Sequence, residues 1–149
     1  RVTRIKAEAG WQRVVMRKGL RRMPVLAADT TVALANEMLA KPADAADAGR
    51  MLRLLSGTRH RVLTAVAVAF EGRLAMRVSE SQVTFCALDE ARIDAYISGS
   101  EPFDKAGGYG IQGRAGAFAS RIEGSYTGVM GLPLFETAEL LREFGVAVP

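Results

Sequence analysis

One cysteine and one histidine are all that this sequence offers of the residues that usually hold zinc through nitrogen and sulfur. The lone Cys86 excludes an internal disulfide and fits a reducing compartment, so a cytoplasmic location is expected. Together with His60 it cannot build a zinc site of the usual nitrogen and sulfur kind. Any metal must then be a hard cation held by carboxylate oxygen and by a phosphate-bearing ligand. Long apolar runs are also missing. None approaches the roughly 20 residues of a membrane-spanning helix, so no membrane partner is expected. The opening Arg1-Val2-Thr3-Arg4 is not a charged start leading into an apolar segment, which argues against a signal peptide. It also lacks an initial Met, so further residues are expected upstream.

What is present describes one soluble domain, spanning residues 1–149, large enough to bury a core. Hydrophobic residues make up 49% and charged residues 24%, the balance of a globular protein. The net charge of +4 is unevenly placed. Arg1, Arg4, Lys6, Arg13, Arg17, Lys18, Arg21 and Arg22 face Glu8 alone, while the remaining 127 residues carry 12 basic and 15 acidic groups. A basic stretch of this kind can be a nucleic-acid surface. Only Trp11 is interleaved to stack on a base, so a solvated helix face explains it better and no nucleic-acid partner is expected.

The most informative segment is Asp104–Gly113, DKAGGYGIQG, with glycine at four of ten positions. Glycine at that density disfavours helix and regular strand and lets a ligand or another backbone come close. Asp104, Lys105 and Gln112 add a charge pair and an amide with donors and an acceptor. Such a loop suits a polar small molecule, a nucleotide above all. Gly108–Gly113 also spells GxGxxG, but that fingerprint requires an apolar strand before it and a helix after it. Glu101–Lys105 and Arg114-Ala115-Gly116 supply neither, so the dinucleotide reading fails.

Hydrophobic patterning predicts an α/β fold, a mixed twisted sheet with flanking helices. Residues 1–18 read as helix, with Gly10 and Gly19 as breaks. Val25–Leu34 is an apolar, β-rich run interrupted by Asp29-Thr30-Thr31. Asp44 is an N-cap with Asp47 in capping-box position. The helix behind it shares Ala48, Met51, Leu52 and Leu55 on one face and stops at Ser56-Gly57. Val62–Phe70 and Arg73–Phe85 form strands joined by a Glu71-Gly72 turn. Asp89 caps a helix in which Leu88 and Ile93 are placed for a hydrophobic staple, Tyr96 and Ile97 share a face, and Gly99 ends it. Ala117–Ile122 is a short strand. Leu134–Phe144 is a last helix with Leu134, Ala138, Leu141 and Phe144 on its buried stripe.

Three further loci carry polar chemistry. Ala28-Asp29-Thr30-Thr31 sets an acid and two hydroxyls after Val25-Leu26-Ala27. A buried, unpartnered Asp costs several kcal/mol, so one here caps, binds metal or does chemistry; an Asx-turn at the strand's exit is the competing reading. Lys41-Pro42 places a lysine just before the Asp44 cap, suited to phosphate, though a plain surface lysine fits too. Ser56-Gly57-Thr58-Arg59-His60 holds polar groups that a helix stop explains equally well. His60 reads as a structural hydrogen-bonder, because no serine or cysteine is paired with it by a recognisable motif.

These blocks, with Lys6-Ala7, Ala28–Val32, Lys41-Pro42, Leu55-Ser56-Gly57, His60, Thr64 and Glu101–Gly107, continue through Tyr109–Gly113 to Ile122, Gly124, Tyr126 and Val129–Leu134. In this order they resemble the Maf family of nucleoside triphosphate pyrophosphatases over nearly the whole chain. The DKAGGYGIQG variant is similar to the subgroup acting on dTTP and UTP. The resemblance implies a Maf/ITPase-like fold and hydrolysis of a nucleoside triphosphate to the monophosphate and pyrophosphate, assisted by Mg²⁺ or Mn²⁺. It implies Asp29 as catalytic acid-base and metal ligand. Lys6, Lys41, Asp104 and Lys105 become substrate contacts, with the lysines on phosphate, and Thr30 and Gln112 select the base. A homodimer is compatible with it. Family members begin with a strand, a Ser/Arg-Arg loop and a Val-Asp-Glu segment that this chain does not contain, and Ala40 replaces the glycine before Lys41-Pro42. A rival expectation is therefore a nucleotide-binding regulatory protein, linked to cell division, that performs no turnover.

Overall fold

The computed structural model describes all 149 residues, Arg1–Pro149. Helix α1, Val2–Met16, opens the chain and runs unbroken through Gly10. That glycine serves packing: a Cβ there would lie 2.8 Å from Val25 Cγ1, so its absence lets the helix press onto the sheet. Ala7 and Trp11 bury against Ala67 and Ala69, with Trp11 edge-on to Phe70. The basic side chains of α1 remain exposed.

Strand β1, Val25–Leu34, is continuous. The expected interruption at Asp29-Thr30-Thr31 does not occur, because these residues pair in register with Ala65, Thr64 and Leu63. The Asx-turn reading falls with it. Threonine favours the pleated backbone, and Asp29 is tolerated because its side chain is only part-buried and meets Lys6. A two-residue turn leads to β2, Glu37–Leu39. Helix α2, Ala45–Leu55, starts where Asp44 accepts from the Asp47 amide at 2.8 Å. Asp47 answers by accepting from the Ala43 amide, one residue before the expected box position. Ala48, Met51, Leu52 and Leu55 are all buried, as their spacing predicts. Strands β3, Arg59–Phe70, and β4, Arg73–Phe85, form the predicted hairpin through Glu71-Gly72.

Helix α3, Glu90–Ile97, is capped by Asp89 and buries Ile93 and Tyr96. Three 3₁₀ turns follow, at Glu101–Asp104, Ala106–Gly108 and Arg114–Ala117, in place of any strand-to-helix junction that a dinucleotide fold would need. Strand β5 is Ala119–Glu123, α4 is Tyr126–Met130 and α5 is Leu134–Glu143. In α5 the buried stripe lies off the expected one: Thr137 and Leu140 are buried and Leu134 is exposed, although Leu141 and Phe144 still pack. Leu140 is fully buried and clusters with Val66 and Val68 of the sheet. No helix is long and apolar enough to cross a membrane.

The sheet order is β2-β1-β3-β4-β5, and every neighbouring pair is antiparallel. The α/β expectation with flanking helices holds, but the pairing is not mixed. Strands β2 and β3 do run the same way across helix α2, as alternating strand and helix predict. β1 lies between them, however, so no parallel pair forms.

The two faces are covered unequally. α1 lies on the face of Ala67 and Ala69. On the other face, α2 and α3 pack over Val32, Val62, Val83 and Phe85 at one end. At the other end α5 packs over Ala28, Val66 and Val68. Between the two packs the sheet carries Thr30 opposite Thr64. The glycine-rich loop closes against the first pack. Gly107 and Gly108 have φ of +74° and +70°, and the Gly107 amide donates to the Ala40 carbonyl at 3.1 Å. A Cβ on Gly107 would sit 3.0 Å from both Val32 methyls. The close approach that glycine permits here is to the protein's own strand.

His60 is buried beneath this loop, its Nε2 2.7 Å from the Tyr109 hydroxyl and its ring edge-on to Phe85. Its structural role is as predicted. Burial lowers the imidazole from 6.5 to about 4.

Gly107→Ala should cost roughly 1–3 kcal/mol in urea unfolding, from the positive φ and the Val32 crowding. Gly19→Ala shares a positive φ but meets nothing within 4 Å, so it should cost less; equal costs would remove the crowding argument. His60 gives a pH prediction. Above pH 6.5 it is neutral in both states. Between 6.5 and about 4 the unfolded chain takes up a proton that the folded one refuses. Stability should therefore fall with pH by about 1.4 kcal/mol per unit, roughly 3 kcal/mol over that window. His60→Gln should flatten this part of the pH profile of urea unfolding.

Candidate active site

Between the two helical packs lies a cleft of about 580 Å³. Its walls come from Ala28–Val32 of β1, Met38–Lys41 after the hairpin, Asp104–Ala106, Tyr109–Gln112 and Val129–Gly131. Of the residues singled out in the sequence, Asp29, Thr30, Lys41, Asp104, Lys105 and Gln112 all line it. Lys6 is not in the wall but reaches Asp29 from α1, its Nζ donating to Oδ1. Segments from both ends of the chain thus meet at the middle of β1.

The floor has a fixed polarity. Thr64, fully buried, donates its hydroxyl to the Gly128 carbonyl at 2.7 Å. A threonine has one hydroxyl proton. The 2.9 Å contact between Thr30 Oγ1 and Thr64 Oγ1 must then use the Thr30 proton. Toward the cleft, Thr30 Oγ1 can only accept. Gly131 leaves that oxygen accessible, since even a Cβ there would stay 3.5 Å away.

The charged groups are held in pairs. Lys6 and Asp29 form one, both partly exposed. Lys105 donates to Asp104 Oδ1 at 2.7 Å, and this bond holds the Asp104 carboxyl below its usual range, with Lys41 adding to the effect. Pairs this exposed are screened by solvent and contribute little to stability. An entering polyanion can therefore take the ammonium groups at little cost. Gln112 donates its amide to the Met130 sulfur, which leaves its carbonyl oxygen and a second N–H available.

No group of three or more His, Cys, Asp and Glu gathers to cage a metal. The cleft does contain two carboxylates, Asp29 and Asp104, and no Cys or His. That donor set fits a Mg²⁺-like ion, which binds through one or two carboxylates and takes its other ligands from phosphate and water.

Residues absent from the sequence candidates also matter here. Thr64 sets the Thr30 proton, Tyr109 joins the wall to His60, and Met130 receives Gln112. Thr64 was legible only as part of the motif series, since the polarity argument needs Gly128 brought in from α4. Met130 was likewise legible only within the Val129–Leu134 block of that series, with nothing local to pair it with Gln112.

Comparison with known proteins places the chain in a family. The family model described as Maf-like protein matches residues 1–144. A relative from Chromobacterium violaceum, named dTTP/UTP pyrophosphatase, is 57% identical over 149 residues, covering 100% of this chain and 75% of the relative. Proteins of the same name from Albidiferax ferrireducens and Nitrosomonas europaea are 53% and 52% identical, each over 99% of this chain and over 74% and 71% of their own lengths. Matched over residues 1–144 and more than half identical to these relatives, the chain belongs to the Maf family.

Proposed function

We propose that this protein is a nucleoside triphosphate pyrophosphatase that converts dTTP or UTP to the monophosphate and pyrophosphate. The observation that carries the reading is the meeting of Asp29, Lys41, Asp104, Lys105 and Gln112 in one cleft, in a chain whose relatives are named dTTP/UTP pyrophosphatase. That naming favours turnover over a purely regulatory nucleotide-binding role. The cytoplasm, with its nucleotide pool and its reduced thiols, is the compartment that suits it.

The protein's own groups divide the work. Lys6, Lys41 and Lys105 offset the triphosphate charge and hold its chain across the cleft. Lys6 and Lys105 can pass from Asp29 and Asp104 to phosphate, so substrate entry would release the carboxylates. Asp29 then takes a proton from water as its oxygen bonds to the α-phosphorus and the bond to the bridging oxygen breaks, releasing pyrophosphate. A carboxylate is by itself a weak base toward water. Asp29, together with phosphate oxygens, would hold a divalent cation, which would supply charge neutralisation and acidify water. Thr30 and Gln112 line the remaining, neutral part of the cleft with Met130 and Gly131, the part this reading assigns to the base.

Asp29→Asn should fold and lower turnover by about 10²–10⁴-fold, the usual worth of general-base catalysis. In wild type, monophosphate and pyrophosphate should be the products, and excess chelator should abolish their release. Nucleoside diphosphate and orthophosphate, or full activity in the folded variant, would overturn this mechanism.

Gln112→Ala and Lys105→Ala separate base from phosphate recognition. Losing the Gln112 amide should reduce discrimination between pyrimidine and purine triphosphates by about 2- to 100-fold in kcat/KM. Lys105→Ala should depress all nucleotides alike, because a charge on phosphate carries no base information. An equal loss for every substrate in Gln112→Ala would assign that residue to loop support.

A further inference from the structure

The hydrogen-bond phase of β1 follows from two turns at opposite ends of the sheet. Two residues, Ala35-Asn36, join β1 to β2, with Ala35 at φ +50°, so the flanking pair Leu34 and Glu37 exchange main-chain hydrogen bonds. With a period of two, Val32, Thr30, Ala28 and Leu26 also turn their N–H and C=O groups to the β2 side. The second turn, Glu71-Gly72, joins β3 to β4 with both residues at positive φ and fixes Phe70 and Arg73 as such a pair. Stepping along β3, residues Ala69, Ala67, Ala65 and Leu63 then face β1, where their partners are Val25, Ala27, Asp29 and Thr31. Both routes agree: Asp29 and Thr31 bond to β3, and Ala28 and Thr30 point away from it.

Strand β2 does not extend to meet them. It ends at Leu39, opposite Val32. The Ala28 and Thr30 main-chain groups thus lie on an open strand edge, and both residues line the cleft. Exposed edges are normally protected by proline, charge or a bulge, yet this one presents Leu26, Ala28 and Thr30.

We propose that this open edge, at Thr30 in particular, reads the substrate's base through the main chain. The proposal rests on the pyrophosphatase reading above and names how that site selects its nucleotide. The Thr30 N–H donates to a ring carbonyl and the Thr30 C=O accepts from the neighbouring ring N3–H, as a partner strand would. A strand edge alternates donor and acceptor. Phosphate oxygens only accept, so they would meet the edge carbonyls unfavourably, and Lys6, Lys41 and Lys105 already provide for phosphate elsewhere. Uracil and thymine present carbonyl and N–H side by side. Cytosine presents the reverse order at the same two positions, an amino group and a bare nitrogen. A main-chain reader also explains why selectivity need not rest on Gln112 alone.

Amide hydrogen exchange read residue by residue tests this directly. In the free protein, Ala28 and Thr30 should exchange fast while Asp29 and Thr31 are protected. Saturating dUMP should slow Thr30 by about tenfold or more, and pyrophosphate alone should not. N3-methyl-UTP, which cannot donate, should lose about 10- to 100-fold in kcat/KM against UTP. Protection of Thr30 by pyrophosphate alone would overturn the proposal. So would bound dUMP without protection, or equal turnover of N3-methyl-UTP. If UTP and dTTP are hydrolysed while Thr30 stays unprotected, only the edge proposal falls. If no nucleotide is hydrolysed, the functional reading falls and takes the edge proposal with it.

Discussion

The antiparallel pairing of β1 with β3 is the constraint on which the rest of this molecule depends. Its register sets Val32 against Val62, Thr30 against Thr64 and Ala28 against Val66, three consecutive rows on one face. The outer two rows are apolar and each collects a helical pack. The middle row is polar and collects neither, so a gap remains between the packs and becomes the cleft. A slip of one residue would turn Asp29 into the helix-covered face and Thr30 toward α1. Every later feature of the site assumes that this slip does not occur.

The alternation of the strand also separates two kinds of chemistry. Asp29 faces the α1 side and meets Lys6, whereas Thr30 faces the cleft floor and joins Thr64. Adjacent residues are thereby given unrelated surroundings, one ionic and part-exposed, the other neutral with its proton already assigned. The ionic groups are paired loosely enough for a polyanion to exchange with them, and the neutral groups are fixed by buried partners. That contrast is suited to a ligand with a charged tail and an uncharged, flat head.

Glycine in the central loop illustrates how local freedom is put to use. The density of glycine from Gly107 to Gly113 suggests room for a ligand. At Gly107 and Gly108 the space is taken instead by Val32 and Pro42, because the loop must close over β1 and the start of α2 before it can wall the cleft. The loop turns the side chains Asp104, Lys105 and Gln112 to the cleft on either side of that buried turn.

Much of this was determined by sequence alone. The caps at Asp44 and Asp89, the apolar stripe of α2 and the Glu71-Gly72 hairpin are local features, set by side-chain hydrogen bonds and periodicity within a few residues. The motif series likewise marked the residues that line the cleft. Three matters lay beyond it. Asp29-Thr30-Thr31 looked like a strand break, because a polar triplet within an apolar run is ambiguous until its neighbour across the sheet is known. The mixed sheet was inferred from strand-helix alternation, which fixes the relative direction of β2 and β3 but not that β1 lies between them. The donor polarity of Thr30 and the open edge beside it depend on Gly128, on two turn phases and on where β2 stops. Sequence determined which groups are available; only the register of β1 on β3 decided which way each one points, since a period of two ties every side chain and every main-chain N–H to that single alignment.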